Sequence, residues 1–116
     1  MIRLSAFADE ISADPEEQIA VLERHGIRFI EFRSISNTNV LDLTDAQHEA
    51  FRDLLREHGF GLSAIGSPIG KIKITDPFEP HLERFDRAIT LAHYYGTPNI
   101  RIFSYYMPPG EDPATY

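Results

Sequence analysis

The sequence predicts an α/β protein in which parallel strands alternate with helices. Three segments share one pattern, "ERHGIRFIEFR", "REHGFGLSAIG" and "HYYGTPNIRIF": each runs from a helix end through a glycine into a β-rich stretch. The glycines are Gly26, Gly59 and Gly96. Their spacing of about 35 residues fits a βαβ unit of roughly 30 residues or more, so the pattern predicts repeated βα units.

Each of these glycines is expected just past a helix end, where the left-handed conformation is common. Asp14 caps the first helix and Pro15 suits its first position. Thr44 and Gln47 form a capping box that begins the second helix. The third helix is predicted over residues 78–95. The apolar residues that recur at helical spacing on the three helices are Ile19, Leu22, Phe51, Leu54, Leu55, Leu82, Phe85, Ile89 and Ala92.

Four β-rich runs alternate with these helices, which predicts a parallel sheet with right-handed crossovers. Asp112 and Pro113 repeat the opening of the first helix, so a fourth helix is expected to begin there. We therefore expect residues 1–116 to be the N-terminal part of one larger domain. The predicted strands cover residues 2–8, 28–33, 62–67 and 99–104.

The strands predict a barrel because only one face of each is uniformly apolar. Successive side chains point to opposite faces, and the mixed face carries Glu31, Arg33 and Arg101. A doubly wound sheet is covered by helices on both faces, whereas a barrel is covered on the outside only. The pattern favours about the first half of a TIM barrel, truncated after strand 4, over a small flavodoxin-like parallel sheet.

The composition restricts the classes of function. The 116 residues suit one domain, and a formal net charge of -7 argues against nucleic acid as a partner. The chain has no cysteine, and hence no disulfide, thiolate nucleophile or cysteine-ligated metal. No leader peptide is visible, and no run approaches the roughly 20 apolar residues of a membrane span. A cytoplasmic protein without a membrane partner is expected.

Candidate binding residues lie where the predicted strands end, which is the active-site rim of a barrel. Asp9 follows the first strand, and the mixed face of the later strands supplies Glu31, Arg33 and Arg101. The loop "GSPIGKI" adds Ser67, a donor for a hydroxyl or phosphate, and Lys71, a flexible positive charge. The alternatives are an interior ion-pair network, a rigid βα turn and a surface lysine.

Histidines are placed away from this rim. His25, His58 and His93 lie near helix ends, where the negative end of the helix dipole favours a positive charge. His48 and His81 are expected on helix surfaces.

The chain resembles the sugar phosphate isomerase/epimerase family of xylose isomerase-like TIM barrels. The resemblance covers essentially all 116 residues through "LSAFADEIS", "GIRFIEFRSI", "NVLDLTD", "GLSAIGSPIGKI" and "FEPHLERFDRAITLAHYYGTPNIRIFSYY". It implies proton transfer on a small sugar, sugar phosphate or polyol, assisted by a divalent metal such as Mn, Mg, Zn or Co.

The resemblance places the metal ligands in strands of the second barrel half. No catalytic or metal-binding residue is therefore assigned within this chain, and the chain alone is expected to bind no divalent metal and to be inactive. The related metal-dependent endonucleases have histidines at the ends of strands three and four. Here those ends are Gly66-Ser67 and Phe103-Ser104, which argues against that branch.

Three functions remain open. The leading one is an isomerase or epimerase of a small sugar phosphate; a polyol dehydratase on the same scaffold and a non-catalytic sugar-binding domain are the alternatives. The open sheet edges and an uncovered inner face also predict self-association into a homo-oligomer. The apolar residues expected to be exposed on that inner face are Phe7, Phe29, Ile65 and Phe103.

Overall fold

The computed structural model describes residues 1–116 and combines three α-helices with a parallel sheet. The sheet has the order β1-β2-β5, and β3 and β4 form a separate antiparallel hairpin. The α/β prediction is therefore confirmed. In chain order the elements are β1 (Ser5–Ala6), α1 (Pro15–Arg24), β2 (Phe29–Phe32), β3 (Ser34–Ile35), β4 (Thr38–Asn39), α2 (Asp45–His58), β5 (Gly61–Ile65) and α3 (Phe78–Tyr95).

The helices begin and end where their capping residues predict. The Asp14 side chain accepts a hydrogen bond from a backbone N–H of the first turn of α1. Thr44 and Gln47 form both bonds of the capping box at the start of α2. Gly59 and Gly96 end α2 and α3 in the left-handed conformation, with φ of 71° and 74°. None of the helices has the length and apolar character that a membrane span requires.

All three helices lie on one face of the sheet. The order β1-β2-β5 means that both crossovers progress in the same direction, and right-handed crossovers then place their helices on the same side. Phe32 of β2 packs there against Phe51 of α2, at 4.5 Å between ring centroids, and against Tyr95 of α3 at 5.6 Å. The flavodoxin-like alternative would instead have helices on both faces.

The helix-free face is strongly concave. The hydroxyl oxygens of Ser5 and Ser63 are 2.6 Å apart although β2 lies between their strands. In a flat sheet those strands would be about 9–10 Å apart. The guanidinium of Arg101 lies 5.5 Å from the centre of the Phe7 ring, which follows β1. The sheet therefore curves around its polar face.

Two predicted strands are shorter than expected. The first pairs only over Ser5–Ala6. The fourth is not a regular strand: it makes one parallel bridge, between Ile65 and Ile100, because residues 99–104 lie at the sheet edge with a partner on one side only. The predicted fourth helix is a single 3-10 turn, Pro113–Thr115.

A bulge in β5 corrects the predicted orientation of Ile65. Ile30 pairs with Leu62, but Glu31 pairs with Ala64, so Ser63 is an extra residue in the strand. Ser63 and Ala64 consequently both lie on the concave face, and Ile65 turns into the helix-covered core, where it is fully buried. The prediction of an exposed Ile65 is wrong, whereas Phe7, Phe29 and Phe103 are half-buried.

His48 was expected at the surface and is buried instead, with 2 % of its surface exposed. Its Nε2–H donates to the Val40 carbonyl at 3.0 Å, so its Nδ1 accepts from the Tyr95 hydroxyl at 2.7 Å. Burial, together with the nearby Arg87, lowers the pKa of His48, and burial raises that of Tyr95. His48 shares one helix face with Phe51 and Leu55, both buried.

We predict that His48 makes stability depend on pH. Because the folded-state pKa is lowered, the unfolded chain binds more protons below its own pKa of about 6.5, and the free energy of unfolding falls there by up to about 1.4 kcal/mol per pH unit. Chemical denaturation between pH 7.5 and 5.5 measures the slope. His48→Gln should flatten it, whereas His25→Gln, at an exposed position, should not. Equal slopes in wild type and His48→Gln would contradict the assignment.

Both sheet edges expose apolar side chains, and we predict that they drive self-association. Leu4 beside β1 is 66 % exposed and Ile102 at the other edge is 61 % exposed. Sedimentation velocity at micromolar concentration should show species larger than a monomer. Ile102→Lys should shift them towards the monomer, and Thr90→Lys, which adds the same charge on an exposed helix position, should not. A wild-type monomer at all concentrations would refute this.

Candidate functional site

A polar cavity of about 460 Å³ lies on the concave face, where the parallel strands end. Apart from Pro68, the side chains that line it are polar or charged. Four of the six predicted binding residues line it: Asp9, Arg33, Lys71 and Arg101. The remaining lining residues are Ser34, Asn37, Asn39, Gly66 and Pro68.

Asp9 and Arg33 form the best-defined ion pair of the cavity. Arg33 donates from Nε and Nη2 to the two carboxylate oxygens of Asp9, both at 2.9 Å, and from Nη2 to Glu10 at 3.1 Å. These carboxylates raise the pKa of Arg33. Its guanidinium also lies 4.1 Å from the centre of the Phe7 ring. Two carboxylates therefore neutralise this cation and hold it against one wall.

Arg101 is held by backbone oxygens and not by a close carboxylate. Its Nη2 donates to the carbonyls of Gly66 at 3.0 Å and Ser67 at 3.3 Å. Glu31 is 3.9 Å from its Nε, which is an ion pair without a hydrogen bond. The Nε–H is buried and has no acceptor. Arg101 therefore keeps hydrogen-bonding capacity beside the cavity.

Glu31, Arg33 and Arg101 lie on the same face of the sheet, as the strand alternation predicts. Glu31 approaches Arg101, and both arginines lie over the ring of Phe7. The buried side chains of β2, Ile30 and Phe32, are on the opposite face. Glu31 itself does not line the cavity, because it lies one pleat below Arg33 on β2.

The side chain of Ser67 is buried in the protein and does not face the cavity. It is fully buried, and its hydroxyl donates to the Arg101 carbonyl at 2.5 Å and accepts from the Ile69 N–H at 3.3 Å. The expected contact of this hydroxyl with a ligand does not fit that burial. Ser67 instead joins the loop to the fourth strand segment, which positions Arg101.

The loop after β5 is fastened by His81, which was expected at the surface and is only 7 % exposed. The Gly70 N–H donates to His81 Nε2 at 2.7 Å, so the ring carries its proton on Nδ1. The Tyr105 N–H donates to the Gly70 carbonyl at 3.1 Å. The helical spacing could have predicted the burial of His81, because His81, Ala88 and Ala92 lie on the buried face of α3.

The β3–β4 hairpin supplies Asn37 and Asn39, which sequence reasoning missed. Its turn residues Ser36 and Asn37 have φ of 53° and 56°, the left-handed geometry of a two-residue type I′ turn. Asn tolerates this conformation better than most residues. The stretch "SISNTN" at residues 34–39 therefore contained a turn signal directly after the predicted strand over residues 28–33.

Gly70 provides a test of the loop. It has φ of +86°, and a Cβ there would lie 1.9 Å from the Phe103 carbonyl oxygen. We predict that Gly70→Ala lowers the free energy of unfolding by about 3 kcal/mol or more. Gly110→Ala, at φ +79° with open space around it, should cost only the roughly 1–2 kcal/mol of the left-handed conformation. Similar values for the two variants in urea denaturation would show that the Phe103 contact is unimportant.

A metal ion needs several ligating side chains close together. Nowhere does the structure bring three His, Asp or Glu side chains into a group able to hold a metal ion. The carboxylates nearest the cavity, Asp9 and Glu10, are both engaged by Arg33.

Comparison of the chain with protein-family models, with curated proteins and with solved structures found no match.

Proposed function

We propose that residues 1–116 are the first half of a TIM barrel and supply a substrate-binding wall of an isomerase or epimerase of a small sugar phosphate. One observation carries the proposal: the cavity at the strand ends combines three cations and one carboxylate with two amides, and Pro68 is its single apolar side chain. Such a lining suits a ligand rich in hydroxyls with an anionic group.

Three features support the barrel. Helices cover one face only, the other face is concave, and contacts such as Ser5–Ser63 join side chains of alternate strands. In a TIM barrel the inward side chains of alternate strands form common layers, and ligands bind at the carboxyl ends of the strands. The cavity is at those ends.

Within this proposal the residues of the chain bind and orient substrate and do not transfer protons. Asp9 accepts from substrate hydroxyls while Arg33 keeps its carboxylate oriented. Asn37 offers both a donor and an acceptor at the cavity wall. The groups that take up and return a proton next to a carbonyl, and any divalent metal that assists them, belong to residues outside this chain.

A non-catalytic sugar-binding domain and a polyol dehydratase would use the same wall. An interior ion-pair network without a ligand is the plainest alternative, and the Asp9–Arg33–Glu10 cluster is consistent with it. The open volume beside those residues favours a ligand, since a purely structural network would be expected to fill it with side chains.

The proposal predicts deuterium incorporation by the complete gene product. With Mn²⁺ and a sugar phosphate such as fructose 6-phosphate or ribulose 5-phosphate in D₂O, the proton next to the carbonyl should exchange, because isomerisation and epimerisation pass through its removal. Mass spectrometry of the recovered sugar phosphate measures the exchange. Arg33→Lys should reduce it by about tenfold or more, since lysine cannot reproduce the bidentate bond to Asp9.

Arg84→Lys is a matched control, because Arg84 pairs with Asp42 away from the cavity. If Arg33→Lys and Arg84→Lys reduced deuterium exchange equally, the cavity would have no specific part in the reaction. Exchange with none of a panel of sugar phosphates, combined with loss of water from a cyclic polyol ketone, would favour the dehydratase.

A further inference from the structure

We infer that the cavity is electrically divided, with a phosphate-binding end at Lys71 and Arg101 and a hydroxyl-binding end at Asn37 and Asp9. This inference rests on the proposed function and names the orientation of its substrate. Two observations support the divided cavity. Different strands supply its two walls, and the charges on the two walls are paired differently.

The two ends belong to opposite sides of the curved sheet. Asp9 follows β1, and Arg33 and the β3–β4 hairpin follow β2, so they form one wall. The loop of Gly66 to Lys71 follows β5, and Arg101 lies on the segment that pairs with β5, so these form the other wall. A ligand long enough to span the cavity would therefore touch both groups.

The charges on the two walls are paired differently. At the hydroxyl-binding end, Arg33 is bonded to both Asp9 and Glu10, so two carboxylates face one cation. At the other end Lys71 forms no ion pair, and Arg101 has only Glu31 at 3.9 Å. Positive charge is therefore in excess there, although the chain as a whole carries a formal charge of -7.

Both cations lie over the ring of Phe103. The Lys71 ammonium is 4.7 Å and the Arg101 guanidinium 4.8 Å from the centre of the Phe103 ring. The ring face attracts each cation, which offsets part of their mutual repulsion. A phosphate would offset the rest, because its oxygens accept charge-assisted hydrogen bonds from both groups.

The hydroxyl-binding end offers neutral and acceptor groups. No hydrogen bond engages the Asn37 side chain, which projects from a turn, whereas Asn39 Oδ1 accepts from the Leu41 N–H at 3.0 Å. Asn37 is therefore the residue at the hydroxyl-binding end whose side chain is free to form hydrogen bonds with a ligand. Sugar hydroxyls both donate and accept, which matches an amide and a carboxylate better than it matches the cationic end.

The test uses the complete gene product and four probes: inorganic phosphate, fructose, fructose 6-phosphate and glucuronate. Chemical-shift changes in amide NMR spectra locate each probe and give its affinity. Phosphate should perturb Gly66 and Gly70 on the Lys71 wall, and fructose should perturb Asn37. Fructose 6-phosphate should perturb both walls. Tighter binding of glucuronate than of fructose 6-phosphate would overturn the assignment to phosphate.

Variants separate the two ends. Lys71→Gln should weaken both phosphate and fructose 6-phosphate by about tenfold, as expected for a lost charge-assisted bond. Lys73→Gln, a nearby exposed lysine outside the cavity, is the control and should change neither. Asn37→Gly keeps the left-handed turn and removes the amide. It should weaken fructose and fructose 6-phosphate but leave phosphate unchanged, and Ser36→Gly should affect none of them.

The failures are distinguishable. If fructose 6-phosphate binds but Lys71→Gln has no effect, the divided cavity is wrong and the proposed function stands. If phosphate binds at Lys71 but neither fructose nor fructose 6-phosphate reaches Asn37, the anion end stands and the sugar function fails. Equal loss of phosphate binding in Lys71→Gln and Asn37→Gly would overturn the division into two ends.

Discussion

Coverage of the sheet by helices on one face only is the constraint from which the other features follow. It leaves Glu31, Arg33 and Arg101 on a concave surface with no helix above them, 23–27 % exposed as side chains. Charges in such partly dehydrated positions need partners. They find carboxylates, backbone carbonyls and aromatic faces, and the pairing is close for Arg33 but loose for Arg101. Because Arg33 is paired more closely than Arg101, the positive charge of the cavity is concentrated at the Arg101 end.

Rigidity of the loop after β5 comes from backbone contacts that few other residues would permit. Gly70 approaches Phe103 so closely that no side chain fits, and its N–H and carbonyl both have partners, in His81 and Tyr105. The position of Lys71 is set by this arrangement, because it follows Gly70 directly. A preorganised loop lowers the conformational entropy that a ligand must overcome on binding. Burial of a neutral histidine on α3 therefore contributes to a site that it does not touch.

Capping residues and strand alternation allowed the helices and the polar face of β2 to be predicted. Position-specific events caused the failures. A single extra residue, Ser63, reversed Ile65, and no local pattern marks a bulge in a strand as short as "GLSAI". His48 and His81 fit their helical apolar stripes, but their hydrogen-bond partners Val40 and Gly70 are distant in sequence and appear only on folding. The barrel remains a prediction from the strand alternation, and the sugar phosphate function remains an implication of the family resemblance.

Arg101 links the cavity to the open edge of the sheet. Its N–H donates to Ile65, its carbonyl accepts from Ser67, and its guanidinium donates back to the same loop, so all of its hydrogen bonds face one side. The next residue, Ile102, is exposed at the other side of the segment. A strand that paired with this edge would order the segment that carries Arg101. A phosphate bound to Arg101 would order the same segment from the cavity side. If phosphate binds at Arg101 and a strand pairs with this edge, the two events would be coupled, and by linkage each would strengthen the other to the same extent.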